Sequence, residues 1–427
     1  MVIQNALILD EDFNIVKNRV IHIKNGRFEK ICGEGDLKID SSDEYVINAD
    51  GMLAMPGFYN AHTHLAMSIM RGLGEDLPLE EWLFKKIFPF EAKLNSNIVY
   101  NATLLAAAEA VAAGIVSSTD MYFYCDSIAN GILDSGMKAN ISIGFDGSLA
   151  GEFSKLKKVQ DLKKLIEDFH RINDDEILID TSIHAEYTSE PALCKALAKF
   201  TNEKKLRTHI HVSETEKEQN ECIERHGVTP VKYFEECGLL DVPATLAHCV
   251  WVSDEDLDII KYSNATVVTN PVSNLKLASG ICDTKKIVDR GINLAIGTDG
   301  AASNNSLNYN EEIKLAGLLS KNLKGAEHGI TLKELLFAAT RGGALSQGRE
   351  DAGFIKKGYR ADMILVDIRM PNMYPHNDLL SNIVYSMSPQ NIKFTVTDGH
   401  IAYKNGEFMH VDLEKVRYEV DKFLEGL

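Results

Sequence analysis

Two histidines separated by a single residue, His62 and His64, are the strongest indication of chemistry in this sequence. They follow a short apolar run, residues 52–55, which is typical of a buried β-strand. Because alternate side chains of an extended strand point to the same side, both imidazoles can face one metal ion. Neutral imidazole nitrogens bind zinc at about 2.0–2.1 Å. A His-x-His pair can also be incidental, so further ligands must come from elsewhere in the chain.

Further polar side chains follow or end other β-rich runs. They are His184, His209, His211, Glu214, His248 and Asp299. Any one of these histidines could be structural, but five of the eight runs described below end in such groups. Since the carboxyl ends of the strands of a parallel barrel form one face, we expect these side chains to lie close together. His209 is the exception, because it lies deeper in its strand and is expected to support the barrel.

The elements that must position these residues are eight short β-rich runs, which alternate with helical stretches. The runs cover residues 53–55, 117–121, 140–145, 178–184, 207–212, 245–248, 266–269 and 293–297. Such alternation is typical of a parallel sheet with crossover helices, and eight strands close a (β/α)8 barrel. The sequence therefore predicts an α/β fold built on a TIM barrel, with residues 53–55 as its first strand.

Both ends of the chain are rich in short strands and turns. Asn25-Gly26 near the start and Asn405-Gly406 near the end are strong hairpin signals. Neither end alone has enough strands for a stable sheet. We therefore predict a composite β-sandwich module formed by residues 1–55 and 350–427, and a catalytic barrel over residues 56–349.

The composition restricts the class of partner. A formal net charge of −17 over 427 residues argues against nucleic acid, which requires clustered Lys and Arg. The seven cysteines are scattered, which favours a reducing compartment over a disulfide framework or a thiolate zinc site. The N-terminus lacks the pattern of a signal peptide, and the longest apolar stretch, residues 104–116, is too short to span a bilayer. We expect a cytoplasmic protein with a small-molecule substrate and no membrane partner; a homo-oligomer remains open.

The order of these motifs resembles that of the amidohydrolase superfamily, hydrolases with a metal at the mouth of a (β/α)8 barrel. The matching elements are the segment Pro-Gly-Phe-x-Asn-x-His-x-His at residues 56–64, the pair His211 and Glu214, then His248 and Asp299. Many members bridge two metal ions with a lysine at the end of strand four. Here His184 occupies that position, which indicates a single ion.

Four longer segments are similar to those of the 5′-methylthioadenosine/S-adenosylhomocysteine deaminases: residues 71–82, 88–94, 270–280 and 297–306. The resemblance implies hydrolysis of an adenosine-type compound (5′-methylthioadenosine, S-adenosylhomocysteine, 5′-deoxyadenosine or adenosine) to the inosine analogue and ammonia. The alternatives are deamination of guanine, 8-oxoguanine or a pterin, and hydrolysis of a triazine. A more remote alternative is a non-catalytic barrel scaffold, which would be expected to lose ligands that this chain retains.

The resemblance also assigns roles at the metal. The expected ligands are His62, His64, His211 and Asp299. Nitrogen and oxygen ligands without cysteine favour one zinc ion, with Fe2+ or Mn2+ as alternatives. Such an ion lowers the pKa of a bound water to about 7, and the resulting hydroxide would attack the ring carbon that bears the amine. Glu214 is expected to move a proton to the ring nitrogen, Asp299 to accept one, and His248 to orient the attacking oxygen.

Substrate contacts follow from the same resemblance. Trp82 is expected to pack against the base, Glu91 to accept hydrogen bonds from the ribose, and His184 to contact the substrate. Related deaminases often have an arginine at the end of strand three, where this chain has Asp146 and no cation. Together with Glu186, Asp146 would repel a carboxylate if both face the pocket. The alternative is that both are exposed on the surface.

Overall fold

A computed structural model of the protein describes residues 1–33, 45–77, 79–149 and 151–427. Its strands are β1 Val2–Leu9, β2 Ile15–Lys24, β3 Arg27–Gly33, β4 Val46–Asn48, β5 Met52–Pro56, β6 Phe58–Thr63, β7 Ile115–Tyr122, β8 Lys138–Phe145, β9 Ile177–Ile183, β10 Thr208–Val212, β11 Ala244–His248, β12 Thr266–Thr269, β13 Asn293–Ile296, β14 Met363–Asp367, β15 Ile392–Thr397, β16 His400–Lys404 and β17 Glu407–Phe408.

The α-helices are α1 Leu79–Trp82, α2 Phe88–Glu91, α3 Ser96–Ala112, α4 Cys125–Ser135, α5 Lys157–Phe169, α6 Ile172–Asp175, α7 Pro191–Lys204, α8 Glu216–His226, α9 Pro230–Glu236, α10 Asp254–Tyr262, α11 Pro271–Lys276, α12 Thr284–Asp289, α13 Ala301–Asn304, α14 Tyr309–Lys324, α15 Leu332–Phe337, α16 Gly343–Ser346, α17 Leu379–Tyr385 and α18 Leu413–Glu425. Short 3-10 or π turns cover Leu65–Met70, Leu83–Ile87, Phe153–Lys155, Glu186–Thr188, Ala338–Gly342, Pro371–Met373 and Pro389–Asn391. None of the helices in the described ranges is both long and apolar enough to cross a membrane.

The central element is an eight-stranded parallel sheet in which β6 to β13 lie side by side in chain order. The two end strands meet through polar groups: the Asn60 side-chain amide donates to Thr298 Oγ1 at 2.7 Å. The backbone amide of Asp299 donates to the carbonyl of His62 at 3.0 Å. The sheet thus curves into the predicted (β/α)8 barrel, and its closure places Asp299 directly beside His62.

The first barrel strand is β6, and the prediction that it comprises residues 53–55 was wrong. Those residues lie in β5, which pairs with β14 in a different sheet, with Leu53 opposite Val366. The chain passes from one sheet to the other at Gly57, where an added Cβ would come within 2.4 Å of the Val116 side chain. Both runs are buried and apolar, so hydrophobicity alone does not separate them. As a consequence, His62 lies inside its strand rather than beyond the strand's end.

Strands from both ends of the chain form a second, nine-stranded sheet in which β1 to β5 join β14 to β17. The link between the two ends is the β5–β14 pair. Side chains from both halves, such as Phe28 and Phe394, belong to one buried apolar cluster. Both termini therefore contribute to one separate sheet, as predicted, whereas the boundaries at residues 55 and 350 stay predictions; residues 34–44 lie outside the described residues.

Helix α8 begins after Glu214, and this start determines how the Glu214 side chain is held. The Thr215 side chain accepts a hydrogen bond from the Glu218 amide and caps the helix. The helix therefore starts at Glu216, and Glu214 precedes the cap in the segment that connects β10 to α8. The direction of the Glu214 side chain is therefore not fixed by the geometry of the helix.

A buried ionic network joins the barrel to the terminal sheet. Lys138, at the start of β8, is fully buried, and its Nζ lies 2.5 Å from Asp362 and 3.0 Å from Asp398. Tyr59 of β6 donates its hydroxyl to Asp362 as well. A buried ammonium and carboxylate stabilise one another only as a set, because each alone would be an uncompensated charge. The network therefore couples the folding of the two sheets.

We expect Lys138→Met to lower the free energy of unfolding by about 3–5 kcal/mol, because it leaves Asp362 buried without its cation. Urea denaturation followed by circular dichroism measures this change. The matched control is Lys199→Met, which removes an exposed ion pair with Glu203 at 3.9 Å and should cost at most about 1 kcal/mol. Equal effects of the two substitutions would show that the network does not contribute to stability.

Candidate metal centre and active site

Four side chains from distant parts of the sequence meet at the carboxyl ends of the barrel strands. The ligand atoms of His62, His64 and His211 all lie within 4.8 Å of one another. Asp299 Oδ1 lies 3.4 Å from Nε2 of His62 and 3.3 Å from Nε2 of His64. His211 Nε2 lies 3.4 Å from His64 Nε2. Three imidazole nitrogens therefore lie close enough together to bind one divalent ion, and the carboxylate oxygen of Asp299 lies beside two of them.

Backbone carbonyls fix the orientation of two of these rings. His64 Nδ1 donates to the carbonyl of Met121 at 2.5 Å, and His211 Nδ1 donates to the carbonyl of His184 at 2.6 Å. Because a carbonyl accepts only from a protonated Nδ1, each ring in its neutral form has its unprotonated nitrogen at Nε2, which faces the other ligand atoms. This is the tautomer that a metal ligand needs.

The third ring is held by another histidine. His62 Nδ1 lies 2.9 Å from His209 Nε2, and both rings are fully buried. His209 thus holds the His62 ring so that its Nε2 points towards the centre. This supporting role agrees with the expectation from the position of His209 in its strand. His62 Nε2 is buried and has no hydrogen-bond partner among the described residues. Because such atoms are rare unless a ligand satisfies them, the donor set fits a metal ion.

The electrostatics of the cluster favour ligand forms. Burial lowers the pKa of His62 to about 4 and lowers that of His211 well below its ordinary value, so both rings are neutral. Burial also opposes protonation of His64, but the hydrogen bond and charge of Asp299 raise its pKa to about 9. For Asp299, burial raises the pKa, yet the adjacent His62 and His64 rings outweigh this effect and keep the group ionised. A divalent cation would take the place of the proton held between His64 and Asp299.

Glu214 and His248 lie beside this centre. Glu214 Oε2 is 3.8 Å from His248 Nε2, and the Ser279 hydroxyl donates to Glu214 Oε1 at 3.2 Å. Burial raises the pKa of Glu214, so this carboxyl can carry a proton closer to neutral pH than an exposed glutamate. The ligand atom of His248 lies within 4.8 Å of those of His62 and Asp299. The two side chains are thus placed to exchange protons with a molecule bound at the centre.

One segment, residues 270–280, orients three of the reactive groups. Ser273 donates to Asp299 Oδ2 at 2.6 Å. Asn274 Oδ1 accepts from His248 Nδ1 at 2.8 Å, which leaves Nε2 of that ring free to accept. Ser279 contacts Glu214, as described above. No role was predicted for these two serines and the asparagine, because only the folded chain shows which group each one contacts.

Three residues at these strand ends have a strained backbone conformation. Ser213, His248 and Asp299 have φ values of 50°, 74° and 59°, in the left-handed region that residues other than glycine seldom adopt. Such conformations persist only where the surrounding structure imposes them, and they cluster at functional sites. Here they occur immediately after β10, at the end of β11 and after β13.

A cavity of about 630 Å³ opens over the centre and includes all three residues expected to bind substrate. Trp82 is buried in its wall, with Nε1 donating to the carbonyl of Leu73 at 3.0 Å. Glu91 accepts a hydrogen bond from the Tyr122 hydroxyl at 2.7 Å. The His184 ring lies 5.1 Å from the His211 ring, measured between centroids. The cavity is large enough for a nucleoside.

The two acidic residues that raised doubt about the substrate lie in different surroundings. Glu186 is buried and paired with Arg225 at 2.6 Å and His226 at 2.9 Å, and it neither lines the cavity nor lies exposed. Asp146 does line the cavity, but it is paired with Lys158 at 2.7 Å. The segment at the end of strand three contains no cation, as its sequence shows, but Lys158 brings one to it from a later part of the chain. Lys158 comes from α5, where neighbouring lysines gave no sign of which one faces the cavity.

Comparison with known proteins places these features in context. The family model described as the amidohydrolase family matches residues 53–402. A protein of Dictyoglomus thermophilum named 5-methylthioadenosine/S-adenosylhomocysteine deaminase is 38% identical over 422 residues, which cover 99% of this chain and 97% of that protein. A 5′-deoxyadenosine deaminase of Methanosarcina acetivorans is 37% identical, with coverage of 100% of this chain and 98% of that protein.

A solved structure gives the same result in three dimensions. The crystal structure of an adenosine deaminase from Xanthomonas campestris, with bound zinc, superposes with a TM-score of 0.92 at 26% identity. The match covers 100% of this chain and 98% of that one. The family model spans the chain from β5 to β16, including every residue of the proposed centre. This chain therefore belongs to the amidohydrolase family.

Proposed function

We propose that this protein is a zinc-dependent hydrolase that converts an adenosine-type nucleoside to its inosine analogue and ammonia. The observation that carries the proposal is the convergence of His62, His64, His211 and Asp299 beside Glu214, at the base of a nucleoside-sized cavity. The names of the relatives support it, since those proteins are described as deaminases of 5′-substituted adenosines, and the Xanthomonas deaminase contains zinc. A cytoplasmic location remains a prediction from the sequence.

The residues around the centre supply the proton transfers that deamination requires. A zinc ion held by the four ligands would acidify a water molecule, with a pKa near ~7 in place of 15.7. Glu214 would carry a proton from that water to the ring nitrogen next to the carbon under attack. Asp299 would accept the second proton and pass it to the departing ammonia, while His248 would orient the attacking oxygen through Nε2. Each proton-transfer group of this kind is worth about 10²–10⁴-fold in rate.

The cavity wall supplies the substrate contacts. In this proposal the base packs against Trp82, and the ribose hydroxyls donate hydrogen bonds to Glu91. His184 contacts the substrate from the end of β9. The direct test is ammonia release from adenosine, 5′-methylthioadenosine and 5′-deoxyadenosine, compared with guanine, 8-oxoguanine, a pterin and a triazine. Turnover confined to the second group would overturn the proposed substrate class.

Glu214→Gln should reduce kcat by at least about 10²-fold while leaving the metal bound, because the amide cannot carry the proton. Steady-state ammonia release and metal analysis of the same preparation measure both effects. Glu216→Gln, two residues away in the first turn of α8, is the matched control and should behave as the wild type. Retention of most of the activity by Glu214→Gln would remove the residue from the proton path.

Asp299→Ala should lower both the zinc content and the rate, since the ion loses its carboxylate ligand and His62 and His64 lose the charge that they face. Zinc per chain after dialysis is the primary measurement. The control is Asp258→Ala, at a side chain that is 65% exposed. Full zinc occupancy in Asp299→Ala would mean that the fourth ligand is a different residue.

Asn274→Ala should lower kcat by about 10–100-fold with little change in zinc content, because His248 loses the acceptor that fixes its ring. Kinetic assays at saturating substrate, combined with metal analysis, separate orientation from metal loss. Asn130→Ala, which removes an exposed side-chain contact on α4, serves as the control. If kcat of Asn274→Ala equals that of the control, the contact does not position His248.

A further inference from the structure

Lys158 and Asp146 form an ion pair at the open side of the cavity. Lys158 and Asp146 are 42% and 59% exposed, whereas His62 and Asp299 are almost fully buried. The two pairs therefore mark the outer and inner parts of the same cavity. If the amine of an adenosine reacts at the buried centre, the 5′ substituent, at the other end of the nucleoside, points to the outer part. This step rests on the proposed function.

The positive charge of Lys158 is already balanced by the carboxylate of Asp146. Lys158 Nζ lies 2.7 Å from Asp146 Oδ1 and donates to the carbonyl of Gly144 at 2.9 Å. Among the described residues that line the cavity, Lys158 is the single lysine or arginine. A carboxylate that approached it would therefore meet the repulsion of Asp146 together with the attraction of Lys158. The two interactions would largely cancel.

The neighbouring wall offers apolar contacts instead. Leu79, Leu83, Phe84 and Phe88 line the cavity from the segment between β6 and α3, and Tyr187 lines it from the turn that follows β9. Phe84 and Tyr187 are 61% and 40% exposed, so a ligand can cover them. Burial of an uncharged thioether or alkyl group against such side chains is favourable, because it removes apolar surface from water.

We propose that Asp146 masks Lys158 and thereby makes this pair a specificity determinant: the protein favours 5′ substituents without charge and discriminates against those that bear a carboxylate. Discrimination of this kind needs a repulsive element as well as an attractive one. Asp146 supplies the repulsion, and the apolar wall supplies the attraction. Removal of Asp146 should therefore admit carboxylates, because Lys158 would then be free to bind them.

The experiment compares kcat/KM for three adenosines. They are 5′-methylthioadenosine, which is uncharged; 5′-(3-carboxypropylthio)adenosine, which carries a carboxylate; and S-adenosylhomocysteine, which carries a carboxylate and an ammonium. For the wild type we expect the uncharged compound to be the best substrate. In Asp146→Asn, the ratio of the carboxypropyl compound to 5′-methylthioadenosine should rise about tenfold, and added salt should reduce the gain. Lys158→Met and the double variant should show no gain.

The matched control is Asp289→Asn, which removes an equally exposed carboxylate, 59% in both cases, from its ion pair with Lys285. This substitution should leave the ratio unchanged. The inference alone is overturned if the wild type prefers a carboxylate-bearing compound, or if the three compounds are deaminated but Asp146→Asn leaves their ratio unaltered. If the wild type releases ammonia from none of the three compounds nor from adenosine, the proposed function fails and the inference fails with it.

Discussion

Closure of the barrel between its first and last strands is the constraint on which the centre depends. The amide of Asp299 donates to the carbonyl of His62. At the same junction, between β6 and the segment that follows β13, the Asn60 side chain donates to Thr298 Oγ1. Gly297 permits this approach, since an added Cβ would come within 2.3 Å of the Asn270 side chain and 2.9 Å of the His62 Cβ. Residues that are more than two hundred positions apart in the chain thus become neighbours, and the carboxylate reaches two imidazoles at 3.3–3.4 Å.

Around this junction of the first and last strands, hydrogen bonds orient the side chains that carry the reactive atoms. Carbonyls at the ends of β7 and β9 orient His64 and His211, while the segment 270–280 orients Asp299, His248 and Glu214. Because these contacts come from the backbone or from short side chains on the barrel, little freedom remains at the centre. The left-handed backbone at the ends of three strands is the cost of bringing the groups together. Rigidity of this kind is what metal binding and directed proton transfer both require.

Much of this arrangement could be predicted from the sequence, and the remainder shows where such prediction stops. The eight-strand alternation and the terminal hairpin signals predicted both sheets, because periodicity and turn residues act locally. The first barrel strand was misplaced because β5 and β6 are both buried and adjacent, and only pairing partners distinguish them. Likewise, the surroundings of Glu186 and Lys158 could not be predicted from the sequence. Tertiary packing brings Arg225 to the first and Asp146 to the second. Residue type, spacing and the resemblance to a known family predicted the candidate reactive residues, but they gave no sign of the residues that orient them.

The central claim is that one divalent ion is held jointly by His62, His64, His211 and Asp299. Anomalous diffraction at the zinc absorption edge, on crystals of the purified protein, tests it most directly. We predict a single strong peak per chain, about 2.0–2.2 Å from Nε2 of the three histidines and from Oδ1 of the aspartate. Zinc bound elsewhere in the chain, with these four atoms turned away from it, would contradict the account.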